Sequence, residues 1–311
     1  MLEKDKTIIL TGGAGFIGSN TALALNQQGF ENLIIVDHLN HESKEKRLEL
    51  VKYEQYYDRG DFLGALPRLK NIAAIVHLGA CTDTAMMDEK FMMENNTEYS
   101  KKLFDYAARN GLRFIYASSA ATYGDGACGY SDKERNLKPL NPYGVSKYLF
   151  DEYVLNSPAK PAQWTGLKFF NVYGPGEAHK GKMASMIYQG YRQAKEHGDI
   201  MLFKFGEQKR DFIYVKDAVK IVLFFLNNEK SGIFNVGAGK ARSFLDLGDA
   251  IFAALGRKPR IIFFDMPGKI KGKYQSFTEA NMTSLRQAGY REKFYELKAG
   301  INDYIKELEK K

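Results

Sequence analysis

The sequence predicts an α/β fold, a doubly wound parallel sheet with a smaller α/β lobe toward the C-terminal side. Three observations carry that prediction. Apolar strand-like runs alternate with helical stretches as far as residue 171, the rhythm of successive βαβ units. The first of these units bends on a cluster of glycines. After Pro175 the rhythm breaks and Lys, Gly and Met become frequent.

The elements follow in order. Residues 6–11, KTIILT, are apolar and β-branched and read as a buried strand. Gly12, Gly13, Gly15 and Gly18 come next and fit Gly-x-Gly-x-x-Gly through 13, 15 and 18, or Gly-x-x-Gly-x-x-Gly through 12, 15 and 18. A helix from about Phe16 to Gln28 carries Phe16, Ile17, Leu23 and Leu25, and Gly29 ends it. A second strand, LIIVD, closes at Asp37, nineteen residues after Gly18. Further strands are read at 72–80, 113–120 and 165–174, with helices at about 94–109 and 142–155 between them. DFIYV (211–215), a helix at 217–228 and GIFNVG (232–237) return to the sheet pattern, and IIFF (261–264) is a last strand. A dinucleotide domain is therefore expected from 1–174 plus 212–237. Residues 175–211 plus 238–311 would form the smaller substrate lobe, with a cleft between the two.

Composition narrows the function. A chain of 311 residues can bury a large core. It has no stretch of about 18 apolar residues that could span a membrane. Its start, MLEKDKTIIL, runs straight into a strand and does not read as a secretory signal. The only cysteines, Cys81 and Cys128, make no disulfide framework, so a reducing cytoplasm is the expected location. His38 and His41 share a loop, but no Cys, Asp or Glu cluster completes a metal site. The net charge of +8 is not gathered into a dense basic block with interleaved aromatics, which argues against nucleic acid. A basic cleft for an anionic small molecule, such as a dinucleotide with a phosphorylated substrate, fits better.

Chemistry is concentrated at a few positions. The glycines permit a tight turn and let a pyrophosphate approach the N–H groups of a helix N-terminus. Asp37 stands where an acid accepts hydrogen bonds from an adenosine ribose. Tyr143 and Lys147 lie four apart at a helix start and share one face. A fixed positive charge beside a phenol favours the phenolate and makes Tyr143 a candidate general base. A snorkelling surface pair is the bland alternative. Ser118 and Ser119 end the strand that should face Tyr143, so Ser119 can share the transferred proton, or merely satisfy a backbone group. A dehydratase on this scaffold would place an Asp–Glu pair just after those hydroxyls. Here Ala120 and Ala121 stand there and cannot move a proton. Lys180 lies just past the FNVYGP strand end and is either a cleft residue or a solvated loop lysine. Arg210 suits a diphosphate, or a surface salt bridge to Asp211 or Glu207.

TGGAGFIG, the Tyr143–Lys147 pair and Ser118–Ser119 resemble the extended short-chain dehydrogenase/reductases, whose sheet is of the Rossmann type. HLGACTDT, KFMMENNTEYSK, YASSAATYGDG, KPLNPYGVSKYLFDEYV, FFNVYGPGEAHKGKMAS, KRDFIYV and KGKYQSFTEA together resemble the ADP-heptose 6-epimerase family over essentially the whole chain. The resemblance implies an isomerase that oxidises and re-reduces C6 of an ADP-activated heptose, a precursor of the lipopolysaccharide inner core. It implies bound, recycled NADP, with NAD tolerated, and a homo-oligomer, a ring of five subunits. It casts Tyr143 as one catalytic base and Lys180 as a second, with Lys147 on the nicotinamide ribose and Ser119 at the reacting sugar. Gly12, Gly15, Phe16, Ile17, Gly18, Asp37, His38, Lys44, Arg59, Leu78, Gly79, Ala80, Cys81, Thr82, Asn95 and Val172 fall where the family grips its cofactor, as do Lys147 and Lys180. Ser119, Asn171, Lys182, Gln189, Phe203, Lys204, Phe205, Gly206, Arg210 and Tyr274 fall where it holds the ADP-sugar. Three residues depart from the family pattern, Leu78 for Glu, Lys182 for Ser and Gln189 for His, and the turn after Phe203 is one residue shorter. A UDP-hexose 4-epimerase and a cofactor-sensing protein without turnover are the competing readings. The AHKGKMAS run argues against the first and the retained Tyr–Lys pair against the second.

Overall fold

The computed structural model describes residues 2–266, 268 and 276–310. The chain opens with β1 (Thr7–Thr11), α1 (Phe16–Gln27), β2 (Leu33–Asp37), α2 (Glu42–Leu48), β3 (Gln55–Asp58) and α3 (Arg59–Ala65). β4 (Ile72–His77), α4 (Glu89–Met92), α5 (Tyr99–Arg109), β5 (Arg113–Ser119), α6 (Pro142–Asn156) and β6 (Gln163–Phe169) follow. Then come β7 (Asn171–Tyr173), α7 (Met186–Glu196), β8 (Ile200–Phe203), β9 (Lys209–Tyr214), α8 (Val215–Leu226) and β10 (Gly232–Val236). β11 (Ala241–Ser243), α9 (Phe244–Ala254), β12 (Ile261–Phe264), α10 (Thr283–Gln287) and α11 (Leu297–Glu309) complete the described elements.

Seven strands form one parallel sheet in the order β10-β6-β5-β4-β1-β2-β3. Its inner strands are buried on both faces, so alternate residues feed two apolar layers. Ile8 and Leu10 of β1 join Leu25, Val222 and Phe225 on one face. Ile9 joins Phe62, Phe104, Phe114 and Phe150 on the other. Phe104 meets Phe114 edge to face at 5.6 Å.

Three differences from the predicted elements have physical reasons. β3, QYYD, is a polar edge strand without an apolar run, so periodicity missed it. The run 165–174 is two strands. β6 makes its last sheet bond at Phe170 N–H to Val236 O, 3.0 Å. The Val172 N–H then closes back on Phe170 O at 2.9 Å and bends the chain out of the sheet. β7, so released, pairs with β9, which pairs with β11 in a separate three-stranded sheet. DFIYV therefore belongs to that small sheet, not the large one. IIFF pairs in parallel with Ile200–Phe203, a strand that composition did not reveal.

Gly18 is where α1 crosses the glycine turn, and a Cβ there would lie 1.9 Å from Gly12 O. Gly18→Ala is expected to force turn and helix apart, at a cost of about 1–3 kcal/mol. Thermal unfolding of the variant beside Gly64→Ala, where a Cβ meets nothing within 4 Å, checks this.

Candidate active site

The sheet order reverses between β1 and β4, and the crevice opens at their C-terminal ends. Gly12 sits there with φ +69°, and a Cβ on it would lie 2.6 Å from Gly79 N. Backbone thus meets backbone in the floor of the crevice. Gly15 differs: its Cβ would meet nothing nearer than Gly12 O at 3.1 Å. It lines a cavity of about 420 Å³ with Gly12, Phe16, Ile17, Gly18 and Leu78–Thr82. Its bareness leaves room over the first turn of α1, where free N–H groups favour an anion.

Asp37 is buried at the end of β2 and is already engaged. One oxygen accepts the Ala14 N–H at 2.9 Å, and the other accepts the His38 N–H at 2.7 Å and the Lys44 ammonium at 2.9 Å. The carboxylate therefore braces the glycine turn while Lys44 neutralises it. Asp37, His38, Lys44, Arg59, Asn95 and Tyr99 line an adjoining hollow of about 260 Å³. The Arg59 guanidinium lies 4.9 Å from the centre of the Tyr99 ring. The Tyr99 hydroxyl, buried in this hollow, has no hydrogen-bond partner.

Beside Asn95, sequence reasoning missed Asn96. Its side chain accepts the Cys81 N–H at 2.9 Å, donates to Cys81 O at 3.0 Å and donates to the Ser146 hydroxyl at 3.1 Å. It ties the strand-end loop to α6. Between α4 and α5 the helix widens to a π turn over Met93–Glu98, which aims this side chain inward.

The catalytic wall comes from α6 and β5. The Asn141 side chain accepts the Gly144 N–H at 2.8 Å and caps α6, whose first turns carry the half-buried Tyr143 and the buried Lys147. Lys147 donates to Ala117 O at 2.8 Å, and burial draws its pKa down to about 8, with Asp151 opposing. Burial pushes the Tyr143 phenol up, and a hydrogen bond from Ser119 works the other way. The expected depression of the phenol by Lys147 is therefore not present: the ammonium is turned to a carbonyl, and desolvation outweighs the neighbours. Ser118 donates to Asp151 at 2.8 Å, and Asp151 pairs with the buried Lys168 at 3.0 Å beneath the site.

Lys180 comes from a separate element, the loop 178–183. Its ammonium lies 5.8 Å from the centre of the Phe16 ring. Burial lowers its pKa, and Glu177 opposes. Tyr143, Lys147, Ser119, Asn171, Val172 and Lys180 all border one cavity of about 370 Å³. Its apolar wall of Phe169, Phe170, Phe212, Phe244, Met183 and Met186 had no sequence signal beyond ordinary core composition.

The other substrate candidates lie apart from this cavity. Gln189 donates to Gly181 O at 2.6 Å and so braces the Lys180 loop. Lys182 is exposed. Lys204 pairs with Asp265 at 3.0 Å, and Phe205 packs on Phe263 at 5.8 Å, at the far end of β8 with Phe203 and Gly206. Arg210 stands one layer behind the cavity wall, its guanidinium 5.8 Å from the Phe244 ring centre. Tyr274 lies outside the described residues. Among the described residues no His, Cys, Asp and Glu cluster is placed to hold a metal ion, and no helix is long and apolar enough to cross a membrane.

Residues 8–237 match the model of the NAD dependent epimerase/dehydratase family. The chain belongs to this family. Within it, the chain is 44% identical over 320 residues to the ADP-L-glycero-D-manno-heptose-6-epimerase of Fusobacterium nucleatum, covering 96% of each protein. It is 46% identical over 315 residues to that of Nitratidesulfovibrio vulgaris, covering 96% of this chain and 97% of the relative. The solved Helicobacter pylori ADP-L-glycero-D-manno-heptose-6-epimerase superposes with a TM-score of 0.88 at 30% identity, covering 99% of this chain and 98% of that one. A UDP-glucose 4-epimerase from Thermotoga maritima, at 23% identity and a TM-score of 0.83, shares the fold.

The epimerase/dehydratase family implies a nicotinamide cofactor, and the residues present fit one. Bare space over Gly15 suits a pyrophosphate. Beyond it, Lys44, Arg59 and the unpartnered Tyr99 hydroxyl supply donors in a hollow of the right kind.

Proposed function

We propose that the protein interconverts ADP-D-glycero-D-manno-heptose and ADP-L-glycero-D-manno-heptose by transient oxidation at C6, with Tyr143 and Lys180 as its two bases. The observation that carries this is that both border one cavity from different elements, the phenol from α6 and the amine from the loop after β7. A bound nicotinamide would supply a hydride acceptor, its donor on return, and, when oxidised, a positive charge over the same pocket. Inverting one carbon puts the hydroxyl oxygen in two different places while the hydride site stays fixed. One base positioned for the first oxygen is poorly placed for the second, and an amine from a separate element meets that need.

Each residue then has a task. Tyr143 exchanges a proton with one C6 oxygen, and Ser119 shares it through their hydrogen bond. Lys180, desolvated and so more readily neutral, serves the other. Lys147, fixed on Ala117 O, is placed to hold the nicotinamide ribose. Asp151, beneath the site, is tied up by Lys168, Ser118 and Tyr116. Incubation with ADP-D-glycero-D-manno-heptose, followed by NMR of the C6 stereochemistry, tests the proposal. Formation of the C6 epimer without added oxidant or reductant is expected, and an unchanged sugar would refute it.

The preferred cofactor is NADP, with NAD accepted. Asp37 alone would repel a 2′-phosphate, but Lys44 already neutralises it at 2.9 Å, and Arg59 is a second cation in the same hollow. Lys44→Ala is expected to weaken NADP by about 10–100-fold while changing NAD little. Titration of both cofactors by calorimetry checks this. The working unit is a ring of identical subunits, five by family resemblance, which light scattering tests.

A further inference from the structure

We infer that Glu177 is a positioning residue for Lys180, its carboxylate pinning both ends of the loop that presents the amine to the cavity. The inference rests on the reading of Lys180 as the second base. The loop 178–183 has no buried residue of its own and breaks at Gly181, with φ +52°. Apart from the Gln189 amide, which donates to Gly181 O at 2.6 Å, its shape is set at its ends.

Both ends meet at Glu177, which is 0% exposed. One carboxylate oxygen accepts the Gly174 N–H at 3.1 Å and the Ser185 hydroxyl at 2.8 Å. The other accepts the Ser185 N–H at 2.5 Å. The Tyr304 phenol, on the C-terminal helix α11, lies close enough that burial and this carboxylate together raise its pKa. Lys180 itself donates its N–H to Glu177 O at 2.9 Å. The turn before the loop is wedged from outside as well. The Asn20 amide of α1 donates to Pro175 O at 2.9 Å. The Arg47 guanidinium of α2 fills the space beside Gly176, where a Cβ would meet it at 1.7 Å.

A buried carboxylate with three donors is far more than a surface loop needs, and desolvating it costs free energy that its bonds must offset. It also faces the site electrostatically. Among the charges around the loop, Arg47, Lys44 and Lys180 all press on His179, whereas Glu177 is the carboxylate that acts on Lys180. A competing, merely structural role exists, because Ser185 caps α7 by accepting the Tyr188 N–H at 3.2 Å.

The test uses the cofactor-bound protein and two variants. Glu177→Gln keeps the shape but presents a donor to the Ser185 or Gly174 N–H. Tyr304→Phe removes the phenol hydroxyl beside the carboxylate and leaves the loop's own contacts. Three quantities are measured: kcat, KM, and the rate at which Lys180 is acylated in a brief pulse, read by mass spectrometry against Lys44 as an internal standard. For Glu177→Gln, kcat should fall about 10–100-fold at unchanged KM, as misplacement of a reacting group does. Lys180 acylation should rise at least threefold, with Tyr304→Phe intermediate. Lys180 acylation unchanged in both variants overturns the inference, even if Tm falls, because that is what helix capping alone would give. Acylation that rises with kcat intact upholds the positioning role and instead refutes Lys180 as a base. Should Glu177→Gln fail to fold, Tyr304→Phe alone decides by the same readout.

Discussion

Lys180→Met leaves cofactor binding intact and lowers the rate of epimer interconversion by about 10²–10⁴, the range that a positioned acid–base group supplies. Methionine keeps a long, unbranched side chain against the Phe16 ring, which lies 5.8 Å from the native amine. What disappears is the proton-transferring nitrogen. A lysine that merely gripped a phosphate would show the loss in KM with kcat preserved, so steady-state kinetics separate the two roles. Burial favours the neutral amine, which is the form a base requires.

Tyr143→Phe should cost a similar factor, again with cofactor binding preserved. The ring still fills its place on α6, but the hydroxyl that meets Ser119 is gone. Ser119 cannot substitute, because its oxygen also accepts the Ala121 N–H at 3.1 Å as the cap of the following turn. The wild-type pH profiles should differ by direction. Each base acts when deprotonated, so each rate rises with pH through the pKa of its own group. Burial raises the phenol and lowers the amine, so the rising limb of the step begun by Tyr143 lies at higher pH than that begun by Lys180. Measuring kcat/KM against pH for each epimer separately checks this. Coincident limbs would count against two distinct bases.

Local spacing carried much of the site. The glycine unit and the Tyr143–Lys147 pair depend on contacts within one turn or one βαβ unit, so their residue order encodes their geometry. Lys180 is different. Nothing in its spacing distinguishes a cleft lysine from a solvated one, because the loop is held by the bonds of Glu177 to Ser185 and of Gln189 to Gly181, which residue order does not encode. Asn96 was missed because a helical run of 94–109 assumes regular turns, and the widened turn changes which asparagine faces Cys81. The sheet to which DFIYV belongs was misread for a related reason. An apolar strand pattern records burial but not partner, and the bend at Phe170 that diverts β7 is a backbone event. The turn Phe203–Gly206 does not border the cavity; it follows β8, which pairs with β12 in a separate two-stranded sheet.

The central claim is that Tyr143 and Lys180 serve opposite epimers, and oxidation of each epimer alone tests it most directly. Single-turnover mixtures of each variant with each epimer would be quenched and reduced with borodeuteride, and deuterium at C6 would report the keto sugar formed. Tyr143→Phe should form the keto sugar from one epimer only, and Lys180→Met from the other only. Loss of oxidation of the same epimer in both variants, or of neither, would contradict the two-base account.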